Sequence, residues 1–129
     1  MIDIGIKGYA EVRVTPELTA REVGSGAVEV FATPIMIALV EKACSVSVKP
    51  FLEEGQETVG TMVNAVHTAA SPLGADIRCE SVLTEIDRRR LVFKFTVHDN
   101  AGVVGEGTHE RFIIDRDKFM AKAQARLRN

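Results

Sequence analysis

The chain has two cysteines, no surplus of positive charge and no long apolar run, and each shortage removes a class of protein. Cys44 and Cys79 stand in unrelated segments, with no CxxC and no histidine at ligand spacing. That pattern argues against a disulfide framework and a thiolate metal centre, and it reads as two buried apolar residues in a reducing compartment. The formal net charge is −2, so no electrostatic footprint for nucleic acid exists, and the densest basic run, Arg88-Arg89-Arg90, reads as a solvated turn. The first ten residues, MIDIGIKGYA, include Asp3 and lack the apolar core of a signal sequence, while the most apolar later segment is interrupted by Glu41 and Lys42. No membrane span is expected, and the reading is a cytoplasmic protein. There is no internal repeat and no low-complexity segment.

What is present is ordinary globular material: 129 residues, 46% hydrophobic and 26% charged, enough for one domain over 1–129. The stretch from about Ile4 to Val14 alternates as a strand that Pro16 stops. "ELTAREVGSGAVEV" has no period and reads as a loop around Gly24-Ser25-Gly26. Thr33 followed by Pro34 is an N-cap and first-turn pair, opening a helix that runs to about Lys49 and ends at Pro50. Its residues Ile35, Met36, Ile37, Leu39, Val40, Ala43, Cys44, Val46 and Val48 cover nearly every face. A helix of that kind must be wrapped. Four strand-like segments follow, "TVGTMVNAVHTAA", "ADIRCESVLTEI", "RRLVFKFTVHDN" and "VVGEGTHERFIID", with turn signals between them that predict meander connections. The tail "RDKFMAKAQARLRN" predicts a short helix with Phe119, Met120, Ala123 and Leu127 on one side.

One strand, an apolar helix and four long strands describe an α+β hotdog fold, a curled antiparallel sheet wrapped around a central apolar helix. The rival, a sandwich with the helix on one face only, needs a polar stripe, and only Glu41, Lys42, Ser45, Ser47 and Lys49 supply one.

Three residues carry candidate chemistry. Glu41 is a carboxylate in an otherwise apolar helix; either it marks a thin solvent-facing edge, or it pairs or faces a cavity. Thr33 reads first as a helix cap, beside N–H groups able to hold an oxyanion. His67 interrupts an apolar strand just ahead of a turn. A hydroxyl, a carboxylate and an imidazole are the parts of ester or thioester hydrolysis if the fold brings them together, which spacing alone does not show. His109 shares a strand face with Gly107 and Arg111 and reads as structural or ligand-edge; His98, ahead of a turn, reads as exposed.

"EVFATPIMIALVEKAC", "VGTMVNAVHTAASP" and "HDNAGVVGEGTHERFII" resemble the fluoroacetyl-CoA thioesterases and their relatives in the hotdog superfamily, over about Glu29 to Phe119. The resemblance implies an acyl-CoA thioester hydrolase with Thr33, Glu41 and His67 as its catalytic set and Gly60 and Arg111 at the substrate. It implies an acyl-CoA partner and a homodimer joined edge to edge; a thiolate is a good leaving group and no His/Cys/Asp cluster has ligand spacing, so no metal or other cofactor is expected. On the residues alone, Gly60 reads as a strand bulge and Arg111 as an ion-pair partner. At the position six before Thr33, where the fluoroacetyl-specific enzyme has an aromatic residue, this chain has Ala27. The expected substrate is therefore a short-chain acyl-CoA, or another acyl-CoA, outside the fluoroacetyl case. Two alternatives share the fold: a non-catalytic acyl-CoA binding or sensing module, and an enoyl-CoA hydratase. The hydratase is disfavoured because "FLEEGQETVG" offers acids but no histidine.

Overall fold

The computed structural model describes residues 1–128. Strand β1 spans Lys7–Arg13; a short helix α1, Ala20–Val23, lies in the loop that follows; helix α2 spans Thr33–Val48. Strands β2 (Gln56–His67), β3 (Asp76–Asp87), β4 (Arg90–Asp99) and β5 (Gly102–Asp115) come next, and helix α3, Arg116–Ala125, closes the described chain. All pairings are antiparallel in one sheet of order β1-β3-β4-β5-β2. The meander holds for β3-β4-β5. It fails for β2, which crosses to the far edge and pairs with β5, leaving its other side unpaired.

Helix α2 touches all five strands, so the sheet curls around it as the hotdog reading requires. Met36, Leu39, Val40, Ala43, Cys44 and Val48 are buried at helical spacing. They meet Ile77, Cys79 and Leu83 of β3, Leu91, Phe93, Phe95 and Val97 of β4, and Val104 of β5. Strand β1 lies directly on the helix: a Cβ on Gly8 would collide with the Ala43 carbonyl and the Ser81 hydroxyl. The wrapping is incomplete, however, because Pro34, Ala38, Lys42 and Val46 form an exposed stripe four residues apart.

Two local expectations need correction. Thr33 is the first helical residue and makes no side-chain cap; Ala32, in extended backbone, holds the cap position with Pro34 just inside the helix. His98 is not free in solvent: its Nδ1 is buried, with no hydrogen-bond partner among the described residues and the Glu80 carboxylate 4.0 Å away. Helix α3 forms, but none of its residues is buried. Cys44 and Cys79 are free, buried thiols, and burial pushes both up to about 12. No described helix is long and apolar enough to cross a membrane.

Candidate active site

Released from capping, the Thr33 side chain turns to the last residue of β2, and its Oγ1 lies 2.7 Å from His67 Nδ1. The imidazole stands edge-on to Phe31, with ring centroids 6.3 Å apart. Burial holds its pKa below the ordinary histidine value, which keeps the ring neutral near pH 7. Its other nitrogen, Nε2, is buried with no partner among the described residues. A cleft of about 230 Å³ opens over this pair, lined also by Ala20, Ser25, Phe31, Ala69 and Ala70.

The helix terminus beside the pair is more occupied than a free end. The Ala32 N–H donates to the Leu18 carbonyl, Ile35 and Met36 donate to the Ala32 carbonyl, and Pro34 has no N–H. Among the described residues this leaves the Thr33 N–H as a first-turn donor without an acceptor.

A second group forms around Glu41. Arg111 is 7% exposed and donates from Nη1 to Glu41 Oε2 at 3.2 Å. The same Nη1 donates to His109 Nε2 at 3.1 Å, while Nε and Nη2 donate to the Thr58 hydroxyl and carbonyl at 2.9 and 3.0 Å. Gly60 is the floor of this group. A Cβ there would overlap Glu41 Oε2 and sit 3.2 Å from both Arg111 Nη1 and His109 Cε1. The Glu41 side chain is nevertheless 42% exposed, so its carboxylate lies half in the open.

Strand alternation would place Gly60 and His67, seven residues apart, on opposite faces of β2. The register shift between Gly60 and Met62 is a bulge that reverses this parity. Thr58 and Gly60 before it, and Ala65 and His67 after it, all face inward. Within one chain the two groups stay apart: eight residues of helix separate Thr33 from Glu41, about 12 Å along the axis. The five expected site residues thus fall into two clusters, Thr33 with His67 and Glu41 with Gly60 and Arg111. Thr58 was not anticipated, whereas the strand bulge read at Gly60 is present, with Thr61 as the extra residue between Gly60 and Met62. The odd spacing of Gly60 and His67, both expected at the site, is a second signal of the same bulge.

A curled sheet around a central helix, with a hydroxyl–imidazole pair at the helix start and a carboxylate two turns on, places the molecule among hotdog-fold proteins of the thioesterase type. The chain belongs to the fluoroacetyl-CoA-specific thioesterase (FlK) family, which it matches over residues 14–117. It is 41% identical over 96 residues, 74% of this chain and 69% of the relative, to the fluoroacetyl-CoA thioesterase of Streptantibioticus cattleyicolor. A solved mutant of FlK superimposes with a TM-score of 0.91 at 34% identity, covering 98% of both chains. Another FlK mutant structure, in complex with fluoroacetate and CoA, gives 0.87 at 35% identity over 92% of this chain and 99% of that one. A thioesterase superfamily member of Thermus thermophilus gives 0.88 at 31% identity over 96% and 92%.

Proposed function

We propose that this protein hydrolyses acyl-CoA thioesters to the free acid and coenzyme A, working in the cytoplasm as a homodimer whose two active sites each draw on both chains. The observation that carries the reading is the 2.7 Å Thr33–His67 pair under an open cleft, with His67 Nε2 buried and unpartnered. A buried ring nitrogen without a partner is costly, and a ligand or a second chain offsets the cost.

The thioester carbonyl sits against the Thr33 N–H, which stabilises the oxyanion as the carbon becomes tetrahedral. His67, neutral through burial, moves protons with Thr33 as its orienting hydroxyl. Glu41 delivers the attacking oxygen, either its own, giving an acyl-enzyme anhydride that water then hydrolyses to the free acid, or that of a water it deprotonates; the C–S bond breaks, and the thiolate leaves and is protonated. Gly60 and Arg111 shape the side of the site on which Glu41 lies, so ligand contact at these positions is made beside that carboxylate.

Glu41 reaches Thr33 and His67 through the partner. Strand β2 is twelve residues long and unpaired on its outer side, an edge that invites antiparallel addition. A two-fold axis near Val63–Asn64 would set Gly60 of one chain opposite His67 of the other, and so carry each Glu41 to the partner's hydroxyl–imidazole pair.

The test is release of free thiol from short, branched and aromatic acyl-CoA esters by the native protein and by His67→Ala. Turnover that falls about 10²- to 10⁴-fold in the variant supports the reading. Tight binding of one ester with no turnover of any would make the protein a binding module.

A further inference from the structure

We propose that His109 is a positioning residue for the reaction, a neutral imidazole that fixes Arg111 and through it the Glu41 carboxylate. The inference rests on the role given to Glu41 above. His109 is fully buried and stacks on Phe93, with ring centroids 6.3 Å apart and planes 30° from parallel. Its two nitrogens face opposite demands. Nδ1 lies 2.8 Å from the Met62 carbonyl, which can only accept, so Nδ1 carries the proton. Nε2 lies 3.1 Å from Arg111 Nη1, which can only donate, so Nε2 is bare. These two contacts define one tautomer and one charge state. A second ring proton would set an N–H against a guanidinium N–H inside the core.

The consequence for Glu41 follows from how Arg111 is held. Thr58 takes the Nε and Nη2 edge of the guanidinium. That leaves Nη1, whose two protons are shared between His109 and Glu41. Without the imidazole, one Nη1 proton is buried and unpaired, and the plane of the guanidinium is free to turn about its Thr58 edge. Arg111 is the one hydrogen-bond partner of the half-exposed Glu41 carboxylate among the described residues, so a turned guanidinium leaves it unaimed. The Met62 carbonyl belongs to the residue just past the bulge, so His109 also ties the carboxylate to the kink that gives β2 its parity.

The experiment compares the native protein with His109→Gln, whose amide carries one donor and one acceptor, and with His109→Leu, which has neither. In His109→Leu, kcat for the best ester is expected to fall about 100-fold, the scale of a misaimed reacting group, with KM within about threefold of native. His109→Gln is expected to recover kcat to within about tenfold of native. A readout independent of turnover is the ¹⁵N spectrum of the Arg111 guanidinium. Its Nη1 signal should stay sharp in the native protein and His109→Gln, and broaden in His109→Leu as the guanidinium turns about its Thr58 edge. Unchanged kcat in His109→Leu, equal losses in the two variants despite native-like melting, or identical guanidinium spectra in all three proteins would overturn the proposal. A native protein that turns over no ester would instead overturn the thioesterase reading, and the spectra would then decide the role of His109 by themselves.

Discussion

Gly60 is defined by what lies against it. A methyl group there would overlap the Glu41 carboxylate and press on Arg111 and His109. Arg111 and His109 are pinned by Thr58 and the Met62 carbonyl, so the half-exposed Glu41 is the side chain that yields. Gly60→Ala is therefore expected to cut thioesterase turnover by about 100-fold while thermal melting changes little; turnover equal to native would contradict it. In the proposed reaction the pH dependence is set by His67. Its working form is the neutral ring, and burial places its pKa below the ordinary 6.5. Activity should hold as pH falls to 6.5 and decline only at lower pH, as the ring gains its proton. A profile of kcat/KM whose acid half-point lies above 6.5 would refute this. At this scale the sequence was readable for residue type and silent on partnership. Glu41 and His67 stood out because each breaks an apolar pattern, and Thr33 because it precedes Pro34 at a helix start. That Thr33 bonds His67 rather than capping its own helix follows from the helix starting one residue early, at Thr33 itself, which spacing does not encode.

Among the elements, the helix and four long strands were legible because hydrophobic period and turn residues agree along the chain. The order of strands was less so. The turn signals correctly joined β3, β4 and β5, but nothing in "SPLG" records that β2 lies beyond β5 rather than beside β3. The link that holds this crossover is Asp99, at the β4–β5 turn. Its buried carboxylate accepts from the Ser71 hydroxyl at 2.8 Å and from the N–H groups of Ala101 and Gly102 at 2.8 and 3.2 Å. It thereby fastens the segment leaving β2, just past His67, to the β4–β5 turn at the same end of the sheet. The Ser71 hydroxyl, then the Ala101 N–H, hold the Asp99 pKa below the ordinary 3.8. A depressed carboxylate pKa adds stability that is present above the unfolded value and lost as pH falls through the folded one. Asp99→Ala should thus cost about 1–3 kcal/mol at pH 7, with a deficit that narrows below pH 3.8. Urea unfolding at pH 7 and pH 3 measures both values. A deficit of equal size at the two pH values would show that the carboxylate charge contributes nothing.

On the scale of the whole molecule, the apolar character of α2 exceeds what one sheet covers. The stripe through Pro34, Ala38, Lys42 and Val46 is exposed, yet only Lys42 on it is charged. Met62 and Val66 on the free edge of β2 are 36% and 51% exposed. Sequence patterning saw a helix that needed wrapping and could not say that one chain wraps it only in part, because burial against a second copy leaves the same pattern as burial within the first. The proposed two-fold pairing of β2 makes a prediction that a one-chain site cannot share. Glu41→Gln and His67→Ala should each be inactive as homodimers. Mixed in equal amounts under conditions that exchange subunits, half the dimers are hybrids. Each hybrid has one doubly defective site and one site built from the intact Glu41 of one chain and the intact His67 of the other. Activity should recover to about a quarter of native on this counting. If Glu41 and His67 work within one chain, every site in the hybrid carries one defect, and the mixture stays as inactive as its components.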